Sequence, residues 1–329
     1  MKRVKILTQF FRTIKFARLV NLSVVLLNYF LLKIGFKKLF KTKPISISLE
    51  LSSICNLSCP ECKCGIGKVN RANPFISFEA AKSIIELHLK SAFIVQLFFQ
   101  GEPLMNPFWE DIARYCHEKK LFTIINTNGH FFDDKNIERL LEAGVGRIVV
   151  SVDGMCQEVY EKYRKGGSLE RVLNGTRKIA SRRQELGKKI PELVFQCLVN
   201  RFNEKHLSAY KRFAAVNGAD RVEFKSMQLY DQSINNIHYW LPEDQKYRRY
   251  NISKRWKSNS IVCFRALTTA VFTSDGLLVP CCFDKEAEFS FGNFYFDPWN
   301  SDQRREFIGD LLSKKTTKPH ICMNCTRNL

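Results

Sequence analysis

The chain has 329 residues, of which 45% are hydrophobic and 26% are charged, and its formal net charge is +20. This length suffices for one large and one small domain, and the composition excludes a disordered or fibrous chain. Twelve cysteines occur without the closely spaced pairs of a disulfide framework and without a signal-peptide cleavage site, so their clusters indicate metal ligation in a reducing compartment.

Residues 1–43 form a basic, apolar leader with eleven Lys or Arg and no acid. Five apolar side chains recur at helical spacing between basic ones: Leu7, Phe10, Phe11, Ile14 and Ala17. The apolar run over residues 19–32 is shorter than the about 20 residues of a membrane-spanning helix. We expect a cytoplasmic protein whose leader lies on the anionic inner face of the membrane. Packing of the leader against the rest of the protein and a true membrane span are the alternatives.

From Pro44 the pattern changes to the alternation of a β-strand over residues 45–51. Directly after this strand come Cys55, Cys59 and Cys62, separated by three and then two residues. Three thiolates in one loop can hold three irons of a cubane cluster and leave the fourth iron open for a small molecule. A zinc site, a disulfide and a group of buried structural cysteines are the alternatives.

The loop 55–62 resembles the cluster loop of the radical S-adenosylmethionine (SAM) enzymes. The resemblance implies a 4Fe-4S cluster whose open iron chelates the amino and carboxylate groups of SAM. It also implies that one electron cleaves SAM to a 5′-deoxyadenosyl radical, which abstracts hydrogen from a substrate. The family usually has an aromatic residue just before the third cysteine, where this chain has Glu61.

Helical and strand patterns alternate beyond this loop, and His88 is expected as a hydrogen-bonded core residue on one helix. The predicted helices cover residues 78–89, 108–119, 136–143, 169–186 and 204–216. The predicted strands cover residues 93–99, 122–126, 147–152, 193–199 and 221–224. With the first strand they predict an α/β fold whose parallel sheet curves toward a barrel. The resemblance implies a partial (β/α)6 barrel of the radical SAM type.

Polar motifs follow the predicted strands, where sites collect in parallel β/α folds. Gly101 and Glu102, followed by a proline, resemble the family's Gly-Gly-Glu-Pro motif, which holds the amino group of SAM; a glutamine replaces its first glycine. Ser151 and Asp153 alternate on one strand face and are expected to contact SAM, with a helix cap as the alternative for Asp153. Residues 127–129 correspond to a region that lies near the cofactor in the family.

A second group of cysteines lies near the C-terminal end, after a connector without clear periodicity over residues 231–260. Two strands over 267–272 and 277–280 are expected to form a β-hairpin between them. The group resembles the SPASM or twitch extension of radical SAM enzymes, and its pattern stops after one set of four, which implies one auxiliary 4Fe-4S cluster. A structural zinc is the alternative. The expected ligands are Cys263, Cys281, Cys322 and Cys325, with Cys281 chosen over Cys282 because strand alternation turns only one of them toward the metal.

The sequence therefore predicts four segments: a helical leader (1–43), a radical SAM core (44–230), a connector (231–260) and an auxiliary-cluster domain (261–329). The predicted function is a radical SAM enzyme that acts on a peptide, a small molecule or a cell-envelope precursor, with a flavodoxin or ferredoxin as reductant. The alternative is a noncatalytic iron–sulfur electron-transfer protein at a membrane surface. A nucleic-acid partner is not expected, because the positive charge is concentrated in the apolar leader.

Overall fold

The computed structural model describes residues 10–36, 40–231, 233–249, 263–312, 319–323 and 325. The strands are β1 (Ser46–Leu49), β2 (Ile94–Gln96), β3 (Phe122–Thr127), β4 (Arg147–Ser151), β5 (Glu192–Val199), β6 (Arg221–Ser226), β7 (Thr269–Phe272) and β8 (Leu278–Val279). They form one sheet in the order β6-β5-β4-β3-β2-β1-β7-β8. All neighbouring strands pair in parallel except β7 and β8, which are antiparallel.

Helices connect and cover these strands, and several of them begin at a side-chain cap. The α-helices of the described residues are α1 (Phe16–Lys33), α2 (Phe78–Leu87), α3 (Trp109–Glu118), α4 (Asp134–Glu142), α5 (Gln157–Tyr163), α6 (Leu169–Glu185), α7 (Leu207–Val216), α8 (Ile234–Trp240), α9 (Phe264–Thr268), α10 (Asp302–Leu312) and α11 (His320–Met323). Ser77, Asp133 and Ser168 each accept a hydrogen bond from a backbone N–H of the first turn of α2, α4 and α6. Such caps satisfy amide groups that have no partner inside the helix.

The predicted α/β fold class is confirmed. Each strand and helix expected between residues 44 and 230 is present, with ends that differ by a few residues. Two seven-residue helices, α5 and α8, were not predicted, because two turns are too short to establish a hydrophobic period. Helix α8 lies in the predicted connector, of which residues 232 and 250–260 lie outside the described residues.

The C-terminal hairpin begins later than predicted, because residues 264–268 form α9. Its first strand, β7, pairs in parallel with β1 along its whole length, so the hairpin extends the core sheet. A buried ion pair of the core also contacts the C-terminal region: Arg71 Nε donates to the Glu50 carboxylate at 2.8 Å, and Arg71 Nη2 donates to the carbonyl of Lys285 at 2.8 Å. The Glu50 carboxylate also accepts from the backbone N–H of Ser274 beyond β7. These contacts fix the C-terminal region against the carboxyl end of β1.

The leader packs against the protein through one side of α1, as one of the sequence-based alternatives proposed. Arg18, Val25, Asn28 and Leu32 on this side are buried. The predicted helix is interrupted at residues 12–15, and its portion around Leu7 lies outside the described residues. By length and composition α1 is the one helix within the described ranges that could cross a membrane, and 22% of it is buried.

His88 lies in the core as expected, but neither of its ring nitrogens has a hydrogen-bond partner, so the hydrogen-bonded state predicted for it is wrong. Burial lowers the pKa of His88 from 6.5 to about 4. Because this pKa is lower in the folded protein than in the unfolded chain, the unfolded chain binds more protons between these two pH values. The stability that neutral His88 contributes is therefore lost as the pH falls through this window.

We predict that His88→Leu raises the free energy of unfolding by about 1–2 kcal/mol at pH 7, because it removes two unpaired buried nitrogens. Between pH 6.5 and 4, His88 should lower the free energy of unfolding of the parent protein by up to roughly 3 kcal/mol. The variant should not show this decrease. Urea unfolding of the reduced apoprotein across this pH range measures both effects. The exposed His206→Leu is the matched control, and parallel pH profiles for His88→Leu and the parent protein would contradict the assignment.

Candidate radical SAM site

A cavity of about 210 Å³ opens at the carboxyl ends of β1 to β5. The parallel order of the sheet brings these strand ends together, although the residues are far apart in the chain. Six of the seven site residues predicted around the first cluster line this cavity: Cys55, Cys59, Cys62, Gly101, Glu102 and Ser151.

The cluster loop is held in place by contacts with the last residue of α5 and with the segment after it. Tyr163 donates its hydroxyl hydrogen to the carbonyl of Glu61 at 3.2 Å, and the N–H of Ser58 donates to the carbonyl of Lys165 at 3.2 Å. Gly65 lets the chain pass close to the loop, because a Cβ there would lie 2.6 Å from the backbone nitrogen of Cys59. The loop conformation therefore depends on tertiary contacts as well as on its own sequence.

The donor set of this loop fits a cubane cluster. All three cysteines are free thiols on the cavity wall, and thiols are the ligands that iron–sulfur clusters use. Within the described ranges, no group of three His, Cys, Asp or Glu side chains is arranged to hold a single metal ion. A cubane does not require such convergence, because each thiolate binds a different iron. Burial raises the pKa of Cys55 to about 11, so ligation must release its proton.

Gly101 and Glu102 connect the end of β2 to the cluster loop and to the end of β3. Gly101 has a φ of +62°, and the N–H of Glu102 donates to the carbonyl of Ile54 at 2.9 Å. The Glu102 carboxylate accepts hydrogen bonds from Thr127 Oγ1 at 2.7 Å and from the backbone N–H of Asn128 at 2.8 Å. Burial raises the pKa of Glu102 to about 7, although these hydrogen bonds lower it.

Asn128 also reaches the cluster loop. It belongs to residues 127–129, which correspond to a region near the cofactor in the family. Its Nδ2 donates to Asn56 Oδ1 at 2.8 Å and lies 3.7 Å from Cys55 Sγ. The end of β3 is therefore bonded both to the Gly-Glu-Pro turn and to the loop of the first cysteine.

Asp153 is the predicted site residue that the structure does not bring to the cavity wall. Its carboxylate is fully buried, accepts from Arg164 Nε at 2.6 Å and also accepts from the N–H of Leu198 at 2.7 Å. Arg164 itself lines the cavity, and its Nη1 lies 4.0 Å from Cys59 Sγ. The alternation that points Ser151 into the cavity thus does not extend to Asp153, which lies beyond the end of β4.

Sequence reasoning missed Arg164 and Lys285 as cavity residues. Arg164 follows α5 and precedes a Gly-Gly pair, a pattern that also suits a solvated turn. Lys285 lines the same cavity from the C-terminal region, and its Nζ lies 4.9 Å from the centre of the Tyr230 ring. No local signal identifies Lys285, because its position depends on how the hairpin packs against the core.

Glu61 occupies the position where the family usually has an aromatic residue, and it does not line the cavity. Its carboxylate accepts from the backbone N–H of Tyr230 at 2.6 Å and from Asn236 Nδ2 at 2.7 Å. Glu61 therefore bonds the cluster loop to the segment after β6 and to α8. Tyr163 contributes an aromatic ring to the cavity wall instead.

The four cysteines predicted for the auxiliary cluster lie close together, although they come from three separate segments. Burial raises the pKa of Cys281, and the nearby thiols of Cys282, Cys263 and Cys322 raise it further. Burial likewise raises the pKa of Cys263, to which the nearby Cys325 adds. The Cys322 carbonyl also accepts a hydrogen bond from the N–H of Cys325 at 3.1 Å.

Cys282, adjacent to one of these cysteines, has a different neighbour. Arg265 Nη1 lies 2.6 Å from Cys282 Sγ, so this thiol faces a guanidinium group. The choice of Cys281 over Cys282 as the cluster ligand remains a prediction.

Two family models match the chain. The radical SAM superfamily model matches residues 49–190, and the model of the SPASM domain, described as an iron–sulfur cluster-binding domain, matches residues 263–326. The first match contains the three-cysteine loop and the Gly-Glu-Pro turn, and the second contains all four C-terminal cysteines. The matched domains imply SAM, a 4Fe-4S cluster and a further iron–sulfur cluster.

Curated relatives and solved structures agree with these matches. An AdoMet-dependent heme synthase of Methanosarcina barkeri is 32% identical over 40% of this chain and 38% of its own length. A PqqA peptide cyclase of Granulibacter bethesdensis is 26% identical over 62% of this chain and 52% of its own length. The alignments thus span about half or less of these relatives.

The crystal structure of Streptococcus suis SuiB bound to S-adenosylmethionine has the same fold, with a TM-score of 0.59 and 17% identity over 86% of this chain and 68% of SuiB. The fold, the three thiols on the cavity wall and the two family matches lead to one conclusion: the chain contains a radical SAM domain over residues 49–190 and a SPASM iron–sulfur domain over residues 263–326.

Proposed function

We propose that the protein is an enzyme that reductively cleaves SAM at a cluster held by Cys55, Cys59 and Cys62 and takes hydrogen from a peptide or small-molecule substrate. The single observation that carries this proposal is the composition of the cavity wall, which combines these three thiols with Gly101 and Glu102. When bound, the cluster and SAM supply one-electron chemistry, and the residues of the chain bind and orient the reacting groups.

Glu102 is proposed to hold the amino group of SAM. Its two oxygens accept three hydrogen bonds, from Thr127, Asn128 and the N–H of Leu104. An ionised carboxylate has about four acceptor positions, so one remains for an ammonium group. The existing bonds hold the carboxylate in one orientation, and a bound cation would favour its ionised form against the effect of burial.

Two cationic side chains on the cavity wall are proposed to bind anionic groups. Arg164 is oriented by its ion pair with Asp153, which makes Asp153 a positioning residue for the cavity. Lys285 approaches from the C-terminal region and has no acidic partner within 4.0 Å among the described residues. Burial lowers the pKa of Lys285, and a bound carboxylate of SAM or of the substrate would favour its charged form. Ser151 adds a hydroxyl group to the same wall.

The auxiliary cluster is proposed to be held by Cys263, Cys281, Cys322 and Cys325. Four protein thiolates leave no iron open, so this cluster suits electron transfer better than substrate binding. It would accept an electron from the oxidised substrate or pass one toward the first cluster. A flavodoxin or ferredoxin is the proposed reductant, and the proposed location is the cytoplasm, on the inner face of the membrane.

The deciding experiment is anaerobic reconstitution followed by assays of SAM cleavage and metal content. We expect 5′-deoxyadenosine production together with about eight irons per chain, four for each cluster. An intact first cluster without SAM cleavage would overturn the proposal and favour the noncatalytic electron-transfer alternative. About four irons with one zinc would instead reassign the C-terminal cysteines alone.

A further inference from the structure

Helix α1 presents an apolar face to the surroundings, and its inner side buries two polar side chains, Arg18 and Asn28, together with Val25 and Leu32. Buried Arg18 and Asn28 lie on the inner side, and Phe16 and Phe30 on the outer side are 84% and 58% exposed. We define the outer face by its exposed apolar residues at helical spacing: Phe16, Leu19, Val20, Leu26, Leu27, Phe30 and Ile34. A helix on the surface of a soluble protein usually has charged and polar residues on its exposed side instead.

Hydrogen bonds fix this orientation at three levels of the helix. Arg18 Nη1 donates to the carbonyl of Lys120 at 2.9 Å, and Nη2 donates to the carbonyl of Leu89 at 3.0 Å. Asn21 exchanges two hydrogen bonds with the backbone of Lys43, and Asn28 exchanges two with the backbone of Phe40. Rotating the helix, or moving it into a bilayer interior, would leave these polar groups without partners.

The surroundings of the outer face are basic. Arg12 and Lys15 precede α1, Lys33 ends it, and Lys41 follows it, while the first acidic residue of the chain is Glu50. Anionic lipid headgroups attract Lys and Arg residues that lie near the membrane surface. Two copies of the face would instead bring like charges together, which disfavours self-association through it.

We propose that the outer face of α1 binds the surface of an anionic phospholipid bilayer, with the helix lying in the plane of the headgroup region. An exposed apolar stripe bordered by lysines is the arrangement of interfacial helices. The inner face stays bonded to the protein, so the helix anchors the protein without crossing the membrane.

The contacts of α1 also orient the active-site cavity. Arg18 bonds to the segments that lead into β2 and β3, and Asn21 bonds to the segment that leads into β1. Phe10 contacts the rings of Phe93 and Phe122 at the start of β2 and β3. The helix therefore lies at the amino-terminal ends of the strands, and the cavity opens at their carboxyl ends. The six residues of β3 separate these ends by about 20 Å.

This geometry directs the cavity away from the membrane and toward the cytoplasm. A substrate therefore enters from water, which favours a soluble small molecule or a peptide over a lipid that stays in the bilayer. The orientation concerns the substrate of the proposed enzyme, whereas membrane binding by α1 does not depend on SAM cleavage. The membrane proposal and the proposed enzymatic activity can therefore fail separately.

The membrane proposal is tested by sedimentation of the reconstituted holoprotein with vesicles of phosphatidylglycerol and phosphatidylcholine, and with vesicles of phosphatidylcholine alone. We expect binding to the anionic vesicles that weakens as salt is added. The double variant Leu26→Ser with Phe30→Ser should bind them roughly 30-fold more weakly, because two exposed apolar side chains no longer enter the interface. Unchanged binding by this variant would overturn the proposal.

The matched control is Ile234→Ser, which removes an apolar side chain that is 74% exposed at the other end of the strands. It should bind vesicles as the parent protein does. Dimerisation that the double variant abolishes, without vesicle binding, would identify the outer face as a contact between copies and overturn the proposal. Resistance of the bound protein to extraction at high salt and high pH would do the same, because it would indicate a membrane span.

Hydrogen–deuterium exchange tests the orientation of the cavity. We expect anionic vesicles to slow exchange in α1 and to leave the cavity segments 98–105 and 126–131 unchanged. Slower exchange in those cavity segments would show that the cavity faces the membrane and would overturn the inferred orientation. Normal SAM cleavage by the double variant would show that its loss of vesicle binding does not arise from misfolding.

Discussion

Replacing Cys59 with Ala is expected to abolish reductive cleavage of SAM and to remove the iron of the first cluster. The Cys59 thiol lines the cavity beside Arg164, whose Nη1 lies 4.0 Å from the Cys59 sulfur. The loss of SAM cleavage should exceed the roughly 10- to 100-fold losses that follow from changes to residues around metal ligands. Iron content, the absorbance of the reconstituted protein and 5′-deoxyadenosine production measure it.

Cys64→Ala is the matched control for this cysteine variant. Cys64 lines the same cavity, but its thiol donates to the carbonyl of Ser53 at 3.2 Å, and burial raises its pKa to about 12. The Cys64 thiol therefore stays protonated. We expect Cys64→Ala to keep its iron and its SAM cleavage. Loss of the cluster in Cys64→Ala with retention in Cys59→Ala would contradict the proposed ligand set.

Gly101→Ala is expected to disturb both the SAM cavity and the cluster loop. A Cβ at Gly101 would lie 2.2 Å from the carbonyl oxygen of Ser52 and 2.6 Å from that of Ile54. Both atoms belong to the backbone that leads into the cluster loop, so a side-chain movement cannot relieve the contact. We expect a loss of about 2–4 kcal/mol in the free energy of unfolding and at least about a tenfold loss of SAM affinity. Urea unfolding and equilibrium dialysis with SAM measure these effects.

Gly187→Ala separates the steric contact from the conformational cost. Gly187 has a φ of +59°, close to the +62° of Gly101, but a Cβ there would meet no atom within 4 Å. This variant should lose only the about 1–2 kcal/mol of a left-handed non-glycine residue and should bind SAM normally. Equal losses of stability and of SAM affinity in the two alanine variants would show that the contact with Ser52 and Ile54 does not contribute to either loss.

Local patterns predicted most of the core fold. Strands and helices between residues 44 and 230 follow from apolar periodicity, because strands and helices place their apolar core residues at different repeats. The positions of Cys55, Gly101 and Ser151 on the cavity wall follow from their places at or beyond strand ends, because parallel strands end at one edge of the sheet. These features depend on residues that are neighbours along the chain.

Contacts between distant segments determine the features that the sequence did not predict. Asp153 pairs with Arg164, Glu61 binds Asn236, and Lys285 reaches the cavity only because the C-terminal hairpin joins β1. The amphipathic pattern of the leader predicted a helix, but not which face would meet the protein. Buried Arg18 and its carbonyl partners determine that, because a charged side chain leaves water only where enough acceptors are already in place.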